Sequence, residues 1–216
     1  MACRRLAYFE KLGIVYSRVP KNANTTTTSL FSELSGVTFR HHSEAILASR
    51  RLPWNSFLDL PSFHAVVIIR NPYSRVLSAF LDKFGHHRDR YTSLYGDFEP
   101  TPSGFRNFVD YLKDRGTTGN PHWDLQQSLI PFPLSAYDSV IRFESYATGI
   151  SEMLQLLDIE FDYSQLQKLY PTDTEKRTNA DSHTAHFYDE KSIRAISTLY
   201  ASDFTFLGYP REFQSC

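Results

Sequence analysis

Hydrophobic and polar positions along this chain fall into two kinds of block. Short apolar runs at residues 13–19, 37–41, 64–70 and 139–143 each read as a strand. The run His64-Ala65-Val66-Val67-Ile68-Ile69-Arg70 is apolar without interruption between its ends, the signature of a strand covered on both faces. Helical patterns lie between the runs, at 26–34, 43–50, 73–84, 105–115, 146–157 and 190–201. Phe105, Phe108, Val109 and Leu112 form one apolar stripe at helical spacing. The helix at 73 opens just past Asn71-Pro72, and Pro costs little in a first turn because its missing N–H has no partner there. Strands alternating with helices predict an α/β fold on a mainly parallel central sheet, with residues 1–216 forming a single domain. Such sheets bind ligands beyond the carboxyl ends of their strands, where both Lys21 and Arg70 fall.

Composition narrows the class. The 216 residues are 41% hydrophobic and 22% charged, with a net charge of -1, so nothing biases the chain toward nucleic acid or a membrane surface. No apolar run approaches the roughly 20 residues of a membrane span. Arg4 and Arg5 are not followed by an apolar stretch, so a secretory signal is not expected. The two cysteines, Cys3 and Cys216, sit at opposite ends, which predicts no structural disulfide and a soluble cytoplasmic protein, or a Golgi-lumenal one if the sequence is part of a longer anchored chain.

Candidate chemistry concentrates first at residues 15–30. An apolar strand runs into Pro20-Lys21, then Asn22, Ala23, Asn24 and the hydroxyl run Thr25, Thr26, Thr27 and Thr28 open a helix. The first N–H groups of a helix lack partners within it and its dipole favours negative charge, so this layout makes an anion site. A nucleoside triphosphate loop would need a Gly-rich turn ending in Gly-Lys-Ser/Thr. Here the Lys comes early, the loop has no Gly, and Arg70 rather than an acid ends the apolar strand. A magnesium-dependent kinase or ATPase is disfavoured on these grounds.

The second motif is Val66 to Phe80: a buried strand, Arg70 at its end, Asn71-Pro72-Tyr73, Arg75, and Ser78 on the following helix. The Arg70 fork matches phosphate oxygens, and Ser78 can reach the same anion. With these residues the chain resembles the sulfotransferases that use 3′-phosphoadenosine 5′-phosphosulfate (PAPS), in particular the membrane-type carbohydrate sulfotransferases and their bacterial relatives. In that family a strand, Pro-Lys and small residues form the 5′-phosphosulfate loop, and an Arg-Asx-Pro-aromatic-x-Arg-x-x-Ser segment binds the 3′-phosphate. Further segments are similar in order. Phe105 to Val109 resembles a Phe-x-x-Phe-Val helix, His122-Trp123-Asp124-Leu125-Gln126 a His-Trp-x-x-Gln segment, and Tyr137 to Glu144 a Tyr-Asp strand ending in an acid. Tyr200-Ala201-Ser202-Asp203-Phe204 and Gly208-Tyr209 resemble the closing signature. The resemblance covers roughly residues 13 to 209. The chain departs from the pattern at Asn24, where relatives often carry Gly or a small residue, and at Ile130, where Golgi members carry Cys.

The resemblance implies a P-loop-like three-layer fold and a sulfuryl transfer from PAPS to a hydroxyl or amine of a carbohydrate or small metabolite, with no metal required. Lys21 would meet the charge on the leaving 5′-phosphate oxygen. Pro20, Asn22, Ala23, Asn24 and the hydroxyls of Thr25, Thr26 and Thr27 would hold the phosphosulfate, and Arg70 and Ser78 the 3′-phosphate. Arg177, in the polar loop Lys176 to Asn179, is a further cofactor candidate. His is the usual base near neutral pH. His42 is the leading candidate and His122 the second, with His41 or a Glu behind them. The His122-Trp123 pair also fits a capping and packing role, and His41 a solvated strand end.

Other charged groups have milder readings. Arg75 is expected in a structural ion pair on its helix. Lys83, His86, His87, Arg88 and Arg90 form a basic stretch that is either a solvated face or a contact for an anionic acceptor. Tyr188, Tyr200, Phe204 and Tyr209 read as core, packing the last helix against the sheet. Acceptor choice is expected to lie in loops 85–104 and 114–123. The competing functions are a P-loop-like nucleotide kinase and a non-catalytic nucleotide- or glycan-binding module.

Overall fold

The computed structural model describes residues 5–38, 44, 62–162 and 178–214. The chain divides into two compact units, Met1–Ile69 with Ser128–Thr172, and Arg70–Gln127 with Asp173–Cys216. The first unit carries a four-stranded sheet in the order β1 (Leu6–Phe9), β2 (Ile14–Ser17), β3 (His64–Ile69), β4 (Ser139–Arg142). β1 is antiparallel to β2, while β2, β3 and β4 are parallel, in register at Tyr16↔Val66 and Ile68↔Ile141. The fold is therefore α/β with a mainly parallel central sheet flanked by helices, as the alternation of patterns predicts.

β2 is buried along its whole length and β3 over its last four residues, which is why both read as unbroken apolar runs. One face of the sheet, with Ala7, Phe9, Ile14, Tyr16, Val66, Ile68 and Ile141, packs on two helices. They are α1 (Asn24–Leu34), through Leu30 and Phe31, and the helix Tyr146–Leu156, through Ile150, Met153 and Leu154. The Phe31 ring meets Phe9 at 5.3 Å and Tyr16 at 5.9 Å, both edge to face. The second helix approaches β4 so closely that a Cβ at Gly149 would stand 2.6 Å from Ile141 Cγ2, so only glycine fits there.

The second unit is helical: α2 (Pro72–Phe80), α3 (Arg88–Tyr95), α4 (Pro102–Arg115), α5 (Gln126–Leu129, its first two residues), α7 (Ala180–Phe187), α8 (Glu190–Leu199) and α9 (Ala201–Leu207), the helix at Tyr146–Leu156 being α6. Its core is aromatic. Phe80 meets Phe105 at 5.2 Å, Phe108 meets Trp123 at 5.4 Å, and Phe105 meets Tyr188 at 4.8 Å. Tyr188, Tyr200, Phe204 and Tyr209 are all buried, and Tyr188 and Phe204 both pack on Tyr73 of α2.

Several boundaries differ from the sequence expectation. β1 was not foreseen: four residues joined to β2 by a 3-10 turn and a left-handed Gly13 (φ 63) are too few to show a period. Val37 and Thr38 are not in a strand, and the remainder of the expected 37–41 strand lies outside the described residues, as does the expected 43–50 helix apart from Glu44. The helix from Pro72 widens after Phe80 into a π-helical segment, Leu81–His86. α3 and α7 were not among the expected helices, because neither carries a clear apolar stripe. The final helix breaks at Tyr200 into α8 and α9.

Candidate functional site

In the first unit, β2 leads through Arg18 and Val19 into the turn Pro20 to Ala23, and α1 begins at Asn24. Lys21 (φ 71) and Ala23 (φ 52) both hold left-handed backbone without being glycine, and Asn22 between them has negative φ. Each left-handed residue costs about 1–3 kcal/mol, so the turn stays in this shape only because its surroundings hold it there. Asn22 supplies that hold. It is fully buried, its Nδ2 donates to the carbonyl of Ile68 at 2.8 Å, and its backbone N–H donates to Val19 at 3.3 Å. Alternating backbone handedness turns successive N–H groups toward one side, which makes an anion-binding nest. No side chain caps the start of α1, and its first turn contains no acidic residue.

The hydroxyls of the loop divide by burial. Thr25 and Thr26 are half-buried at the helix start. Thr27 is fully buried; its hydroxyl donates to the Ala23 carbonyl at 3.0 Å and meets Tyr146 Oη at 3.1 Å, so it steadies the helix start from within the unit. Asn24 Oδ1 and Thr28 Oγ1 are buried without a hydrogen-bond partner among the described residues. Asn22 and Thr27 thus serve the turn's shape through their side chains, whereas Pro20, Lys21, Asn24, Thr25 and Thr26 lie partly exposed. At the carboxyl end of the sheet Ser17 Oγ and Tyr137 Oη share a hydrogen bond of 2.7 Å, and burial pushes the Tyr137 phenol up to about 12.

In the second unit, Arg70 precedes α2 and is 3% exposed. Asn71 caps the helix by accepting from Tyr73 N–H at 2.9 Å, with Pro72 in the first turn. The Arg70 main chain is gripped on both sides by Gln126: its N–H donates to Oε1 at 3.2 Å, and Nε2 donates to its carbonyl at 2.8 Å. Its side chain donates through Nε to Ser74 Oγ at 3.2 Å and through Nη2 to Asp181 Oδ2 at 2.6 Å. Ser78 Oγ lies 3.1 Å from Thr178 Oγ1. Asp203 fixes Gln126 in turn, accepting from the N–H of Gln126 at 2.7 Å and of Gln127 at 3.0 Å. Burial raises the Asp203 carboxyl above its ordinary value, and those two N–H groups and Arg75 pull it back.

Sequence reasoning quoted Gln126 and Asp203 within motifs without giving them a role. Asp181 and Ser74 it missed as partners, whereas Thr178 belongs to the polar loop Lys176 to Asn179 that it singled out for Arg177. Arg75, expected in a structural ion pair, has carboxylates near it in Asp124 and Asp203. It turns fully inward and donates to the carbonyls of Asp124 at 2.8 Å and Pro121 at 3.0 Å, which fixes the turn carrying His122. Burial lowers its pKa, against the pull of Tyr200, Asp203 and Asp124.

His122 is half-buried beside Tyr91. Asn120 Oδ1 accepts from the His122 backbone N–H at 3.1 Å, so that atom is an acceptor, and the His122 Nδ1 at 2.7 Å from it must carry a proton. The imidazole can therefore accept a proton through Nε2. His41, His42 and Arg177 lie outside the described residues. The basic stretch is engaged with carboxylates: Lys83 with Asp82 at 2.8 Å and over the Tyr91 ring, His86 and His87 within 3.9 Å of Asp82, and Arg88 with Asp97 at 2.7 Å. Among the described residues no helix is long and apolar enough to cross a membrane.

The phosphosulfate donor that the resemblance implies suits these groups. In the first unit a cation, first-turn N–H groups and hydroxyls, with no acid in the first turn of α1, suit the phosphosulfate end; in the second unit the buried Arg70 guanidinium suits a phosphate.

Carbohydrate sulfotransferase 9 of Homo sapiens is 24% identical over 240 residues, covering 97% of this chain and 54% of the human protein. Carbohydrate sulfotransferase 8 of Mus musculus is 27% identical, covering 71% of this chain and 42% of the mouse protein. Carbohydrate sulfotransferase 14 of Homo sapiens is 23% identical, covering 96% of this chain and 60% of the human protein. The chain spans about half the length of these relatives. No solved structure matches it. The family model described as "Sulfotransferase family" matches residues 4–210, nearly the whole chain, and the chain belongs to that family.

Proposed function

We propose that this chain moves a sulfuryl group from PAPS to a hydroxyl or amine acceptor, and that the acceptor is a carbohydrate. The observation that carries the reading is the glycine-free turn between β2 and α1, with two left-handed residues, Lys21 at its tip and an acid-free helix start. When bound, PAPS supplies the transferable sulfuryl group and a bisphosphate leaving group. The N–H groups that follow Ala23, with the Thr25 and Thr26 hydroxyls, hold the phosphosulfate oxygens. Lys21 stabilises charge on the leaving oxygen. Asn22 and Thr27 keep the turn in the shape this requires. Arg70 and Ser78 hold the 3′-phosphate, and Arg177 is a further donor candidate. His42 is the leading base and His122, through Nε2, the second. The carbohydrate acceptor follows from the names of the relatives. The sparse cysteines favour a reducing compartment, the cytoplasm.

Titration calorimetry with adenosine 3′,5′-bisphosphate and adenosine 5′-monophosphate tests the donor. The bisphosphate should bind tighter, and Arg70→Ala should abolish the difference. A wild-type protein that binds both alike would sink the donor reading. A transfer assay from PAPS to a panel of sugars, phenols and amines then tests catalysis. Tight bisphosphate binding with no transfer to any acceptor would leave a binding module instead.

A further inference from the structure

The two side chains assigned to the 3′-phosphate both meet one short segment. The Arg70 guanidinium, its side chain 4% exposed, donates to the Asp181 carboxylate at 2.6 Å, and the Ser78 hydroxyl lies 3.1 Å from that of Thr178. Thr178 and Asp181 flank Asn179, the left-handed residue (φ 44) that starts α7. We infer that Asp181 is an internal stand-in for the nucleotide 3′-phosphate: its carboxylate takes the guanidinium that the phosphate needs, so phosphate entry displaces it and its return assists nucleotide release. The inference rests on the donor reading proposed above.

Carboxylate and phosphate oxygens match the same face of a guanidinium, and both make short charge-assisted hydrogen bonds to it. Nη2 carries two N–H groups, but two anions on it repel each other at such short range, so a phosphate that binds there drives the carboxylate off. The surroundings decide which partner yields. Arg70 is held at its main chain by Gln126 and at Nε by Ser74. Asp181 is 37% exposed, sits in the first turn of an eight-residue helix, and its carboxylate has no other partner among the described residues. Once displaced it is still tolerated, because the positive end of α7 favours a carboxylate there. The carboxylate therefore opposes every ligand that must claim Arg70 and none that does not. It weakens the bound 3′-phosphate selectively and keeps the bisphosphate product from being held too long.

The test is nucleotide binding by Asp181→Asn, which keeps the shape of the side chain and removes its charge. Asp181→Ser, suited to a helix start, is the second variant in case the first folds poorly. Calorimetry should show adenosine 3′,5′-bisphosphate bound about tenfold tighter than by wild type, the size of one partly exposed charge-assisted contact. Adenosine 5′-monophosphate should be unchanged, and stopped-flow should show slower bisphosphate release. If Asp181 merely orients Arg70, both variants will bind the bisphosphate equally or more weakly, and the inference falls while the donor reading stands. If wild type does not distinguish the two nucleotides, the donor reading falls and takes the inference with it.

Discussion

Replacing Gln126 by Leu should damage the Arg70 site from beneath. Gln126 is fully buried, and its side-chain amide holds the Arg70 main chain through bonds of 3.2 and 2.8 Å. Leucine nearly fills the same volume but strands the Arg70 N–H and carbonyl in a site that is 3% exposed. Each buried main-chain group left unpaired costs about 1–3 kcal/mol, and partial relaxation of the peptide puts the total at about 2–4 kcal/mol. Urea unfolding measures that loss, and residue-resolved hydrogen exchange locates it, with the Arg70 amide losing protection. Gln126→Glu should be no better at neutral pH, because a carboxylate accepts from the N–H but repels the carbonyl. Burial raises the pKa of such a carboxyl, and its protonated form can donate, so the Glu variant should recover toward wild type as pH falls. Bisphosphate binding should weaken more than monophosphate binding in both. A loss under about 0.5 kcal/mol with unaltered Arg70 protection would refute the argument that this amide fixes the guanidinium's position.

On the proposed role, Lys21→Ala should lower sulfuryl transfer at least about a hundredfold with a far smaller effect on the melting temperature, since Lys21 is partly exposed and alanine can keep the same backbone. Asn22→Ala should cost about 1–3 kcal/mol in thermal unfolding, because it strands the Ile68 carbonyl and frees two left-handed residues; an unchanged melting point would show that the turn is held by something else. Asp189 caps α8, accepting from Ser192 N–H at 2.8 Å, and Asp189→Ala should cost about 1 kcal/mol. The Ser192 N–H lowers the Asp189 pKa, so its contribution is present above the ordinary carboxylate range and fades as pH falls through the lowered value. Unfolding of wild type and Asp189→Ala should therefore converge in strong acid; a gap that widens there would contradict the capping geometry.

The parts legible in the sequence are those in which neighbouring residues carry the signal. The apolar run before Arg70, the helical stripe of α4 and the Pro-Lys turn before a hydroxyl run are local patterns, because strand and helix periods repeat within a few residues. They located three of the four strands among the described residues, most of the long helices described there, and the order of Lys21, Arg70, Ser78 and the His-Trp segment. Tertiary structure decided what those residues touch. Gln126 meets Arg70 across 56 residues and Asp181 meets it across 111, and no period or spacing encodes such pairs. Asn22 and Thr27 look like loop ligands in the sequence. Burial turns their side chains inward to hold the backbone that presents Lys21, because a buried polar atom must find a partner before it can serve a ligand.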